Sequence, residues 1–140
     1  MKRLIFILAI MFFALNFGAD AQIPYKSDMS NFIGTWIEAK SIDYDGRLKV
    51  VITKEDGEVF VKAVFQFSDD LPTNRVTIPI ESVSFENGKI KTFGQIRSIN
   101  AKPRYQLIIE FVDGRLKVSE YIGTSGTQLK FNSSHYLDID

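Results

Sequence analysis

The 140-residue sequence predicts an all-β fold: an antiparallel up-and-down meander closed into a β-barrel of about eight to ten strands. A two-sheet β-sandwich is the alternative. Three observations lead there. The dipeptides Asp45-Gly46, Asp56-Gly57, Asn87-Gly88 and Asp113-Gly114 punctuate the chain, and each favours the two positive φ values of a tight hairpin turn. The segments between them alternate apolar and polar residues with period two. No convincing amphipathic helix interrupts the pattern.

The elements follow in chain order. Lys2 and Arg3 precede an apolar stretch, Leu4 to Phe17, and Ala19-Asp20-Ala21 gives a small-x-small pattern. This is the layout of a secretory signal, and the apolar stretch is shorter than the roughly 20 residues of a membrane span. Residues 1–21 are therefore expected to be cleaved near Ala21, leaving 22–140 as one domain, exported and then periplasmic or secreted. Tyr25–Phe32 suits a single helical turn capped by Ser27 or Asp28. Leu48, Val50 and Ile52 then share one face. Val59, Val61, Ala63, Phe65 and Phe67 form a second apolar face, and Val76, Ile78 and Ile80 a third, followed by Val83 and Phe85. Tyr105, Leu107, Ile109 and Phe111 come next, then Leu116 and Val118, then Leu129 and Phe131. An open sheet of this many strands tends to curl or close, which also removes edges that invite aggregation. Asp45–Val50 recurs as Asp113–Val118 (DGRLKV), which reads as the same turn-plus-strand solution used twice.

Composition excludes several chemistries. Without Cys there is no disulfide framework, thiol nucleophile, Cys-held metal or lipid-anchored Cys. The 17 basic residues balance 17 acidic ones, which argues against nucleic-acid binding. Asp43-Tyr44-Asp45-Gly46 begins like a calcium loop, but its Gly comes two positions early and no Glu follows at the twelfth. Ser133-Ser134-His135 sets a hydroxyl beside the only imidazole, yet adjacent strand residues point to opposite faces and no third orienting group is evident. His135 therefore reads as a surface or packing residue. Ser68–Asn74, with Asp69-Asp70, has the chemistry of a solvated turn. No Gly-rich phosphate loop, cofactor motif or metal set is found, and no enzyme activity is expected.

Charge is uneven. From Lys89 to Lys117 seven bases (Lys89, Lys91, Arg97, Lys102, Arg104, Arg115, Lys117) stand against Glu110 and Asp113. Pairing across the outer face of the sheet is the simplest reading. A basic rim drawing an anionic ligand to the barrel mouth is the sharper one.

Asn31-Phe32-Ile33-Gly34-Thr35-Trp36-Ile37-Glu38 contains Gly-x-Trp at the start of the first strand. With the meander behind it, the chain resembles the lipocalins and the wider calycin group, particularly small bacterial lipocalin-like proteins. The resemblance implies that Gly34 and Trp36 mark the closed end of a barrel. It also implies a late basic side chain, Lys130 or Arg115, packed over Trp36.

The expected function is that of a non-enzymatic, exported binding protein for a small hydrophobic or amphipathic ligand inside the barrel. Phe65, Phe67, Phe85, Tyr105, Phe111 and Phe131 are the candidate walls. The alternative is a protein-binding barrel, an inhibitor or assembly factor, acting through loops and an outer apolar patch. Phe60, Val64 and Ile108, with Val51 and Val112, would form that patch and could also serve a homo-oligomer. A one-residue slip in register would move such residues inward instead.

Overall fold

The computed structural model describes residues 29–40, 46–67 and 75–140. The expected leader at 1–21, the expected cap at Ser27 or Asp28, the Asp43–Asp45 segment and the Ser68–Asn74 segment lie outside the described residues. A 3-10 turn, Met29–Phe32, precedes nine strands: β1 (Gly34–Glu38), β2 (Arg47–Glu55), β3 (Glu58–Gln66), β4 (Arg75–Thr77), β5 (Ser82–Glu86), β6 (Lys89–Gln95), β7 (Arg104–Val112), β8 (Arg115–Gly123) and β9 (Lys130–Ile139). All pair antiparallel in one sheet, in the order β4-β3-β2-β1-β9-β8-β7-β6-β5. The sheet curls into an open barrel. The fold is the predicted meander, and the sandwich alternative falls because there is a single sheet.

Turn chemistry sets the hairpins. Asp56 and Gly57 have φ of 51° and 82°, Asn87 and Gly88 52° and 74°, Asp113 and Gly114 53° and 78°. Each pair closes a two-residue turn, placing Glu55 opposite Glu58, Glu86 opposite Lys89 and Val112 opposite Arg115. All three turns lie at one end of the barrel. β1, β3, β6 and β8 end at the other, from which the described connections 96–103 and 124–129 leave.

The short-turn end is closed by aromatic packing. Phe32 is fully buried, with its ring 4.5 Å from Phe111 and 5.9 Å from Phe85. Burial of one such ring contributes roughly 2–3 kcal/mol. Trp36 packs edge-on to Phe111 at 5.6 Å, and its indole N–H donates to the Phe32 carbonyl at 2.9 Å. Gly34 has φ of +145°, a conformation open to glycine, and a Cβ there would meet Ile139 at 2.9 Å. Above this plug lies a layer of Leu48, Val50, Ile52, Ala63, Ile90, Leu107, Ile109, Leu116, Val118 and Leu137. Thr92 is buried among them, its hydroxyl accepting the Leu107 N–H at 3.1 Å where β6 and β7 lose regular pairing.

The predicted strand through Val76, Ile78 and Ile80 is two short edge strands, because Pro79 has no N–H to give a ladder. Between them the chain crosses from one sheet edge to the other. The Ile78 N–H donates to Ala63 on β3 at 2.9 Å, and the Glu81 N–H to Phe93 on β6 at 2.7 Å. This crossing runs directly over Gly94, where a Cβ would lie 1.9 Å from the Pro79 carbonyl oxygen. Glycine inside a strand here admits a second backbone.

Phe131 departs from the predicted inward set. Pairing of β8 with β9 runs regularly from Leu116–Leu137 to Glu120–Ser133, then skips to Tyr121–Phe131. The extra residue, Asn132, forms a β-bulge, and one inserted residue exchanges the faces beyond it. Phe131 is 59% exposed and stacks edge-on with outward Tyr121 at 5.7 Å.

Candidate functional site

Above the buried layer, the long-loop end holds a cavity of about 500 Å³, open to solvent. Phe65 of β3 and Phe67 just beyond it form one wall, with rings 5.6 Å apart. Ile78 and Pro79 of the crossing segment, Ile96 and Ile122 continue the apolar surface. Tyr105, Glu120, Asn132, Ser133 and His135 supply the polar groups. The Asn132 amide donates to Glu120 Oε1 at 2.7 Å. Because of the bulge, adjacent residues Asn132 and Ser133 both reach the cavity.

Three side chains form a connected chain of hydrogen bonds at its floor. His135 Nδ1 lies 2.7 Å from Glu38 Oε2, and His135 Nε2 lies 3.1 Å from Ser133 Oγ. The other Glu38 oxygen accepts the Leu48 backbone N–H at 3.1 Å. The His135 and Glu38 side chains are 13% and 23% exposed, and the imidazole also meets the Phe65 ring edge-to-face at 5.4 Å. With Nδ1–H donated to the carboxylate, a neutral imidazole turns an accepting Nε2 toward the Ser133 hydroxyl. Each member has a structural reason to be there. Glu38 follows Trp36 by two residues and shares its face. Ser133 and His135 are likewise two apart on β9, and the pairing of Glu38 with Leu137 sets the carboxylate beside them.

The candidate wall residues are thus divided. Phe65, Phe67 and Tyr105 line the open-end cavity. Phe85 and Phe111 belong to the closed-end plug, and Phe131 lies outside. A second cavity of about 610 Å³ at the closed end is walled by the Asn87-Gly88 and Asp113-Gly114 turns, Trp36, Phe111 and the Lys89–Glu110 ion pair (3.3 Å). Its lining mixes the two aromatic rings with turn backbone and that ion pair.

No protein-family model, curated protein or solved structure matches this chain. The site is therefore read from its own geometry.

Among the described residues, no Lys or Arg lines the open-end cavity. The basic residues expected at a rim are engaged elsewhere. Lys91 pairs with Glu86 at 3.4 Å, Arg97 with Glu81, and Arg115 with both Asp138 oxygens at 2.8 and 3.0 Å. Arg104 donates to the Thr124 and Thr127 carbonyls. Pairing, rather than an anion funnel, accounts for these charges. Arg115 does not cap Trp36 either, since its guanidinium lies over Tyr136 at 5.7 Å. Lys130 is opposite Ile122, at the far end of β9 from Ile139, the neighbour of Trp36.

The outer apolar set is dispersed. Phe60 is 47% exposed, but it and Val64 lie on β3 while Ile108 lies on β7, five strands away in the sheet. They do not form one patch. Among the described residues, no helix is long and apolar enough to cross a membrane. No three His, Asp or Glu side chains of those residues converge to hold a metal ion.

The residues that the sequence reading missed are Glu38, Glu120, Asn132, Ser133 and His135. A signal for two of them was present, since Ser133 and His135 share a strand face. The orienting carboxylate comes from a strand almost a hundred positions earlier, and nothing local announces that β1 lies beside β9.

Proposed function

We propose that the chain is an exported, lipocalin-like binding protein whose open end takes an amphipathic ligand with an uncharged polar group. The observation that carries this reading is the composition of the roughly 500 Å³ cavity: an apolar wall on one side, and hydrogen-bonding Tyr105, Asn132, Ser133 and His135 on the other. Its size falls in the range that encloses small ligands. The leader-like layout of residues 1–21 supports export. Glu120 in the wall and Glu38 behind His135 repel a ligand carboxylate, so chain length being equal, a neutral headgroup is preferred to a fatty acid.

The test is displacement of the neutral fluorophore N-phenyl-1-naphthylamine. Dodecanol is expected to compete better than dodecanoate at pH 8. Ile122→Trp, which fills the cavity, is expected to abolish fluorophore binding with a stability change below about 3 kcal/mol. Equal binding by this variant, or tighter binding of the carboxylate, would overturn the reading. Ligand at a hundred times its Kd is expected to raise stability by about 2.7 kcal/mol.

A further inference from the structure

We infer that the Ser133–His135–Glu38 relay makes the cavity a site of ester cleavage, with carboxylic esters of a medium or long acyl chain as the substrate class. The inference rests on the binding reading above and names the reaction that its polar wall performs. Three geometric conditions for an activated serine are met. A hydroxyl lies within hydrogen-bond reach of an imidazole nitrogen (3.1 Å), and the other imidazole nitrogen is held by a carboxylate (2.7 Å). That carboxylate is itself fixed by a backbone N–H, so the imidazole cannot turn away without losing two partners. Sequence order differs from any familiar triad, but such sites are recognised by geometry and roles.

The surroundings fit an acyl ester. Ser133 opens onto the apolar wall of Phe65, Phe67, Ile78, Ile96 and Ile122, where an acyl chain can lie with its carbonyl carbon at the hydroxyl. The Tyr105 hydroxyl and the remaining Asn132 amide hydrogen are the uncharged donors of the same cavity available to the carbonyl oxygen. The Asn132 bulge is what brings such a donor next to the nucleophile.

The chemistry balances with water as the only co-reactant. Ser133 Oγ bonds to the ester carbonyl carbon while its proton passes to His135 Nε2. The carbon–alkoxy bond then breaks, and the leaving alkoxide takes that proton to depart as an alcohol. Water attacks the acyl-serine, gives its proton to Nε2, and releases the carboxylic acid as the proton returns to Ser133. Ser133 and His135 are the catalytic residues. Glu38 is a positioning residue that holds the imidazole and its tautomer.

The experiment treats the full chain with an alkyl fluorophosphonate and reads intact mass, alongside hydrolysis of p-nitrophenyl octanoate. One adduct is expected, mapped to Ser133. Ser134→Ala, changing the outward neighbour, is expected to label like the parent. Ser133→Ala is expected to lose both labelling and hydrolysis while unfolding in urea near the parent's midpoint. His135→Gln is expected to slow hydrolysis by about 100-fold or more. Glu38→Gln is expected to lower kcat with KM little changed, which a merely structural loss would not do. Fluorophore binding without any Ser133 adduct overturns the catalytic inference and leaves the binding reading standing. An adduct without fluorophore binding overturns the binding reading, and an adduct that persists in Ser133→Ala overturns the assignment of the nucleophile.

Discussion

Trp36 joins the first strand to the helical turn before it through one hydrogen bond, from its indole N–H to the Phe32 carbonyl. Phe32 is fully buried, so that carbonyl has no access to water. Trp36→Phe keeps an aromatic ring against Phe111 but removes the donor. The expected cost is about 1–3 kcal/mol, the penalty of an unsatisfied buried acceptor, measured by urea unfolding. A loss below about 0.5 kcal/mol would mean that the ring alone, and not its N–H, holds the turn. A closed-end position for Trp36 was only what the resemblance of Gly34-x-Trp36 to the lipocalin motif implied, not something local pattern disclosed. The role of Glu38, two residues on, was not legible. Its partners, the Leu48 amide and His135, depend on two different neighbouring strands.

At the scale of the element, local chemistry decided most of what the sequence disclosed. The hairpin turns follow from the positive φ values of Asp-Gly and Asn-Gly, and the inward faces of β2, β3, β7 and β8 follow from alternation. Alternation failed where the backbone departs from regularity. Pro79 splits one expected strand into β4 and β5, and the Asn132 bulge sends Phe131 outward while admitting Ser133. A bulge has no sequence signature in a polar run such as Asn132-Ser133-Ser134, because none of those side chains marks a face. Gly94 was silent for a related reason: a glycine inside a strand does not say which backbone it admits. Gly94→Ala is expected to break the crossing over Pro79, costing about 4 kcal/mol or preventing folding, as read from the thermal midpoint. A hydrogen-exchange comparison checks the cause. Protection is expected to fall first at the Ile78 and Glu81 amides, which bridge the two edges. Unchanged stability in the alanine variant would show that the crossing does not hold the two sheet edges together.

For the molecule as a whole, two surface ion pairs add a small pH dependence. Glu81 and Asp138 both titrate below the ordinary carboxylate range near pH 4. The hydrogen bond from Arg97 is the main cause for Glu81, and that from Arg115 for Asp138, against a smaller opposing effect of desolvation. Because the folded values are lowered, their contribution is present above that range and lost as pH falls through the lowered values. Asp138→Asn is therefore expected to be slightly less stable than the parent at pH 7, with the difference closing as pH falls below the ordinary carboxylate range. Urea midpoints at pH 7, 5 and 3 measure it. A gap that stays constant across this series would mean that the pair contributes nothing through ionisation. Both pairs are exposed, so added salt is expected to narrow the gap at pH 7 as well.

The adjacency of β1 and β9 has a kinetic consequence. Trp36 lies opposite Ile139, and Glu38 opposite Leu137, so the first strand of the sheet finds one of its two neighbours only in the last. Contacts this distant in sequence are slow to form, since a long loop must close before they repay its entropy. During synthesis β1 and β2 can pair early, but the relay and the complete sheet must wait until β9 has left the ribosome. The order of the strands thus keeps the sheet unfinished until synthesis is nearly complete.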